Sequence, residues 1–299
     1  AGVIVDYPQV ITETPLGAPI LLADGNIELR VESRTDTALT CRVLVGGVLR
    51  SQVGINFPSH SLSVPAFTPK DREDLRFGID QGVDFVALSY VRSPQDIWEA
   101  KDFMASLGAD IPIIAKIEKH EALNHLEGIL AAADGLMVAR GDLGVEVPLE
   151  RVPLIQKQII AAANRAAKPV ITATQMLLSM VNHPRPTRAE ATDVANAILD
   201  GTDAVMLSEE TAMGLYPEAA VKFLDQVSRV TEENFPYLEW LRNRAPVGVQ
   251  DISQAVSHAA CEMAHELEAG AILTSTNFGT TARLISRLRP RAAIIGITP

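Results

Sequence analysis

Three stretches decide the fold: Ile111-Pro-Ile-Ile-Ala-Lys-Ile-Glu118, Gly135-Leu-Met-Val-Ala-Arg-Gly-Asp142 and Pro169-Val-Ile-Thr-Ala-Thr-Gln175. Each is a short apolar run of strand character that ends in reactive side chains. Strand residues alternate faces, so Lys116 and Glu118, two apart, point the same way. A cation and a carboxylate on one face of a strand end, with Asp142 one βα unit later, make a candidate phosphate-and-metal site. Oxygen ligands of this kind suit Mg²⁺, and an ammonium beside them offsets negative charge that develops during reaction.

Outward from these stretches the same pattern repeats. Thr68-Pro-Lys-Asp71 reads as a helix cap with proline at the first helical position, opening a helix to about Gln81. Strands are expected at residues 85–89, 113–117, 136–139, 170–173 and 204–207, with helices at 94–106, 123–132, 153–166 and 189–199 between them. Near-continuous apolar strands separated by helices predict a parallel sheet buried on both faces. Polar residues follow each strand: Ser89 and Arg92, Lys116 and Glu118, Arg140 and Asp142, Thr174 and Gln175, Ser208 and Glu210. That one-sided placement is the habit of a (βα)₈ barrel, and a doubly wound sheet shares it. Five such strands are present rather than eight.

Residues 1–68 read as a β-rich module. Ile20-Leu-Leu22, Asp24-Gly25, Ile27 to Val31, Ala38 to Val45, Gly46-Gly47 and Val48-Leu49 fit strand, turn, strand, strand, tight turn, strand. Residues 217–239 predict one long closing helix and 243–250 a linker. Asp251 then caps a helix to about Leu267, followed by a strand at 271–274, a helix at 281–287 and a strand at 293–297.

A length of 299 residues, with 47% hydrophobic and 21% charged residues, is ordinary for a globular chain holding one to three domains. No apolar run reaches the roughly 18 residues of a membrane span, and the start lacks the charged and apolar regions of a signal peptide. A net charge of −11 without a Lys/Arg cluster disfavours nucleic acid and anionic membranes as partners. Cys41 and Cys261, far apart, read as buried thiols in a reducing cytoplasm. His60, His120, His125, His183, His258 and His265 show no ligand spacing and receive no catalytic role. The chain opens on Ala1 and closes directly after a strand-like run, so both ends read as cut.

Several longer motifs then narrow the reading. Met137-Val-Ala-Arg-Gly-Asp-Leu-Gly144, Lys168-Pro-Val-Ile-Thr-Ala-Thr-Gln-Met176, Pro184-Arg-Pro-Thr-Arg-Ala-Glu190, Thr192-Asp-Val-Ala-Asn-Ala-Ile-Leu-Asp-Gly201 and Met206-Leu-Ser-Glu-Glu-Thr-Ala212 occur in the order found in pyruvate kinases, which the chain resembles from end to end. The resemblance implies an α/β fold: a (βα)₈ TIM-type barrel, of which strands four to eight are present, with an inserted small β-barrel domain and a C-terminal α/β domain. On that map residues 1–68 are the inserted lid domain, 69–242 the catalytic barrel portion and 243–299 the start of the regulatory domain.

The resemblance also implies the chemistry: phosphoryl transfer from phosphoenolpyruvate to ADP, giving pyruvate and ATP, with Mg²⁺ or Mn²⁺, in a cytoplasmic homotetramer. Such a transition state spreads charge over equatorial oxygens, so catalysis is mostly positioning plus cations. Glu118 and Asp142 match the divalent-metal ligands. Lys116 matches the lysine facing the transferring phosphoryl group, and Gly141 with Asp142 the turn that binds the substrate carboxylate. Thr174 matches the threonine near the carbon that takes up a proton; an alkyl hydroxyl is a weak acid, so a water chain is expected to deliver it. Ser89, Arg92, Arg140, Gln175, Ser208 and Glu210 support that rim. Thr276, Gly279 and Thr281 match a sugar-phosphate effector loop. K⁺ belongs to the family too, but its ligands and the phosphate-gripping arginine have no counterpart here, and five strands of an eight-stranded barrel cannot close, so residues 1–299 alone are expected to be inactive and poorly soluble.

Three positions depart from the family pattern. Val53 stands where a nucleotide-contacting lysine is usual, Glu209 replaces the glycine of Ser-Gly-Glu-Thr, and Phe278 replaces a small polar residue in the effector loop. Two rival readings remain. A metal-dependent lyase or aldolase acting on similar substrates would not need the β-rich module as a nucleotide lid. A non-catalytic barrel would not need Lys116, Glu118, Asp142 and Thr174 together.

Overall fold

The computed structural model describes residues 2–23, 25–51, 53–58, 62–243 and 252–298. The expectations for Asp24, His60, Asp251 and the linker at 244–250 lie outside the described residues. The chain divides into two compact units, residues 1–159 with 171–175, and residues 160–170 with 176–299.

The first unit begins with α1 (Val10–Glu13) and an antiparallel sheet of β1 (Pro19–Leu22), β2 (Ile27–Arg34), β3 (Leu39–Val45) and β4 (Ile55–Asn56), ordered β3-β2-β1-β4. Leu22 pairs with Ile27 across the first hairpin, where Gly25 takes a φ of +82° that a side chain would resist. Ile20, Leu22, Ile27 and Val31 join Val10 and Phe57 in one small core. The strand expected at Val48-Leu49 is absent: residues 46–50 are irregular and Val48 is 88% exposed, so it has no core face to fill. The fourth strand is instead Ile55–Asn56, paired to β1, which is too short for periodicity to reveal.

The parallel part begins after α2 (Pro69–Asp80). Its cap is reciprocal, the Asp71 amide donating to Thr68 Oγ1 at 3.2 Å and the Thr68 amide to Asp71 Oδ2 at 2.7 Å. Next come β5 (Val86–Leu88), α3 (Pro94–Ser106), β6 (Ile113–Ile117), α4 (His120–Asn124), α5 (Leu126–Ala132), β7 (Gly135–Ala139), α6 (Arg140–Glu146), α7 (Val152–Arg165) and β8 (Val170–Ala173). The helix expected over 123–132 is two helices that meet at His125, which caps both. Every residue of β7 and four of five in β6 are buried, as a sheet covered on both faces requires. Lys116 pairs with Met137 in the β6–β7 register, so the active ends of both strands lie at one edge.

The second unit carries α8 (Arg188–Asp200), β9 (Ala204–Met206), α9 (Glu209–Ala212), α10 (Pro217–Glu233), α11 (Tyr237–Asn243), α12 (Ile252–Glu266), β10 (Ala271–Ser275), α13 (Thr280–Ser286) and β11 (Ala293–Ile297). The five parallel strands run in the order β5-β6-β7-β8-β9. Met176, Leu177, Met180, Val194, Ala197, Ile198 and Ala220 form one core of this unit. The single helix expected over 217–239 is broken at residues 234–236. Pro236 has no amide hydrogen and disfavours helical geometry at Phe235, so α10 stops and α11 starts afresh. Parallel pairing of β10 with β11, Ala271 opposite Ala293, gives the C-terminal α/β portion.

Candidate functional site

Lys116 is the fourth residue of β6 and Ser89 follows β5, so neighbouring strands deliver both to one edge. The Lys116 ammonium lies 2.7 Å from Glu118 Oε1 and donates to Ser89 Oγ at 2.8 Å. Glu118 is 1% exposed, and its other oxygen accepts the Tyr90 amide at 2.7 Å. Burial raises the Glu118 carboxyl above the ordinary glutamate range despite the pull of Lys116 and Tyr90, and the charge of Asp142 pushes in the same direction. Buried Glu118 and half-buried Asp142, whose charge reaches it, are a donor set that a hard divalent cation fits, since it offsets both charges through oxygen ligands.

Asp142 sits in the first turn of α6, which starts directly after β7, so Arg140, Gly141 and Asp142 leave the strand as a helix rather than as the turn the sequence suggested. Gly141 is required by its neighbour: a Cβ there would fall 2.7 Å from Thr174 Cγ2. Thr174 and Gln175 both adopt left-handed backbone, with φ of +75° and +56°. For residues with side chains this is an unfavourable conformation, and two in succession need external support. Arg140 supplies it. Its Nη2 donates to the Thr174 carbonyl at 2.8 Å, its Nε lies 3.2 Å from that oxygen and 3.3 Å from the Ala173 carbonyl, and its Nη1 reaches Gln156 Oε1 at 3.4 Å.

Lys116, Glu118, Ser89, Arg140, Gly141, Asp142 and Thr174 therefore belong to one unit, in two contact groups, Lys116 with Glu118 and Ser89, and Arg140 and Gly141 with Thr174. Arg92 belongs to the same unit but is engaged elsewhere, its Nη1 donating to the Leu62 carbonyl at 3.1 Å while its amide caps onto Asp96 at 2.8 Å. Ser208 and Glu210 lie in the second unit. Glu210 is 1% exposed and uses both oxygens on backbone, accepting the Leu177 amide at 3.0 Å and the Ser208 amide at 2.8 Å. Glu209 is exposed and Val53 is half-buried. In the candidate effector loop Gly279, at φ +74°, precedes α13, Thr276 is buried with its amide on the Ile297 carbonyl at 3.0 Å, and Phe278 is 86% exposed.

Sequence reading missed one cluster. Glu146, with a fully buried side chain, receives Lys119 Nζ at 2.6 Å and lies 3.1 Å from His120 Nδ1, which is also 3.2 Å from Glu121 Oε2. The partners are 26 and 27 residues apart on different elements, so no local spacing announces them. Lys119 already meets the buried charge of Glu146, and the cluster ties the segment after β6 to the end of α6.

The family model described as the pyruvate kinase barrel domain matches residues 1–221, and that of the pyruvate kinase alpha/beta domain matches residues 254–299. Pyruvate kinase 2 of Synechocystis sp. is 53% identical over 298 residues, covering 99% of this chain and 50% of the relative. The pyruvate kinase of Geobacillus stearothermophilus is 48% identical, covering 98% of this chain and 51% of its own length, and that of Staphylococcus aureus 46%, covering 99% and 51%. The chain thus spans about half the length of the curated relatives it matches.

Proposed function

The chain belongs to the pyruvate kinase family, and we propose that it carries the catalytic rim for moving the phosphoryl group of phosphoenolpyruvate to ADP. The bond from phosphorus to the enol oxygen breaks, a bond to the terminal phosphate oxygen of ADP forms, and the enol carbon takes up a proton to give pyruvate. The observation that carries this reading is the contact of Lys116 with buried Glu118 beside the Gly141–Thr174 packing, all at one edge of a parallel sheet.

In this reading the Lys116 ammonium, held by Ser89 and Glu118, faces the transferring group and offsets its charge. Glu118 and Asp142 hold Mg²⁺ or Mn²⁺, which when bound neutralises phosphate charge. Gly141 and Asp142 bind the substrate carboxylate through their backbone amides at the start of α6, and the Thr174 hydroxyl orients the water that protonates the enol carbon. Residues 1–68 act as the lid, 69–242 as the catalytic portion and 243–299 as the start of the regulatory domain, with Thr276, Gly279 and Thr281 as an effector loop. K⁺ dependence, a homotetramer and a cytoplasmic setting complete the proposal. No helix among the described residues is long and apolar enough to cross a membrane.

The test separates the two half-reactions in the protein as its cell makes it. Lys116→Met should abolish ADP-dependent pyruvate formation by several orders of magnitude, while Thr174→Val should chiefly slow exchange of the pyruvate methyl protons with solvent. Equal loss of both activities in both variants would sink this division of roles, and pyruvate formation without ADP would favour a lyase.

A further inference from the structure

We infer that Arg140 is a positioning residue for Thr174: its guanidinium holds the Ala173 and Thr174 carbonyls and so fixes the left-handed pair that presents the Thr174 hydroxyl to the enol carbon. The inference rests on the proton-delivery role proposed above for Thr174. Three observations meet at this point. Thr174 and Gln175 are consecutive left-handed residues with side chains, at φ +75° and +56°. The planar guanidinium spans both preceding carbonyls, with its shortest contact, 2.8 Å, on Thr174 itself. The Thr174 methyl is seated against Gly141, so a backbone rotation at Thr174 cannot leave the hydroxyl where it is.

The geometry also explains why arginine is needed. A lysine offers a point charge and can reach one carbonyl, whereas the guanidinium fork fixes two at once and is itself steadied by Gln156 Oε1 at 3.4 Å. Freed from the clamp, the pair relaxes toward ordinary negative φ and swings the hydroxyl away from the reacting carbon. A displacement near 1 Å in such a group costs on the order of 100-fold in the step it serves.

The experiment compares Arg140→Lys, Gln156→Leu and Arg140→Lys/Gln175→Gly with the unsubstituted protein and Thr174→Val, in the protein as its cell makes it. Arg140→Lys should slow solvent exchange of the pyruvate methyl protons by about 10- to 100-fold, raise the solvent deuterium isotope effect on kcat, and leave KM for phosphoenolpyruvate within about threefold. Gln156→Leu, which leaves α6 untouched, should shift the same readouts in the same direction by less. Glycine at 175 adopts positive φ freely, so the double variant should recover part of the lost exchange. A crystal structure of Arg140→Lys in which Thr174 keeps its positive φ and its hydroxyl position would overturn the inference regardless of activity. So would a loss confined to KM with the isotope effect unchanged. If Thr174→Val exchanges protons at the unsubstituted rate, the proposed role of Thr174 fails instead, which the crystallographic arm tells apart from failure of the clamp.

Discussion

Gly141→Ala sets two effects of opposite sign against each other. Within α6, alanine in place of glycine favours the helix by about 0.5–1 kcal/mol. The added methyl, however, falls 2.7 Å from Thr174 Cγ2, where ordinary contact begins near 3.4 Å, so one group must yield by about 0.7 Å. Overpacking of this size costs about 1–3 kcal/mol. The net change in stability is therefore a loss of about 0–2.5 kcal/mol, a shift in Tm of a few degrees. Turnover should suffer far more. Thr174 is the side chain that must give way, and a misplacement approaching 1 Å at a reacting group lowers the rate on the order of 100-fold. Parallel measurement of urea unfolding and of pyruvate methyl exchange would show a nearly normal midpoint and a deep loss of exchange. A variant with full exchange, or one whose activity falls only in proportion to its folded fraction, would refute the argument that Gly141 exists to seat Thr174.

Two further outcomes follow from the same geometry. Glu118→Gln removes one anionic oxygen from the proposed metal site, so half-saturating Mg²⁺ should rise at least about tenfold, and the Mg²⁺-induced rise in Tm should shrink correspondingly; an unchanged thermal response to Mg²⁺ would remove Glu118 from the ligand set. Glu190 tests the pH dependence of folding. Partial burial alone would raise its carboxyl, but hydrogen bonds from Ser179 and Thr187 outweigh this and hold it below the ordinary glutamate range. Its contribution is thus complete above the ordinary value of about 4.3 and fades as pH falls through the lower folded value. Glu190→Gln keeps an oxygen for the capping box but loses the charge that strengthens its hydrogen bonds, so it should lose at most about 1 kcal/mol of stability at pH 7, with the gap closing below about pH 4; a gap that stays constant across that range would contradict the assignment.

The sequence by itself determined the periodic and the chemically punctuated features. Apolar runs such as Ile113-Ile-Ala and Leu136-Met-Val located the buried strands because burial on both faces leaves few alternatives to aliphatic residues. Thr68-Pro69 located a helix start because capping is a local hydrogen-bond requirement. Lys116, Glu118 and Asp142 stood out as a candidate site because strand ends gather chemistry at one edge, whereas Gly141 and the role of Thr174 entered through the family motifs. What failed locally failed for short-range reasons: Val48-Leu49 had strand character without a core to meet, and Pro236 cut a helix whose apolar pattern ran on. Only the tertiary structure decided which groups touch. That Arg140 holds carbonyls 33 and 34 residues away, that Gly141 is small for the sake of a Thr174 methyl, and that Glu146 is met by Lys119 and His120 are contacts between separate elements. Sequence spacing carries no record of them, because the distances are set by how strands and helices pack rather than by the repeat of either one.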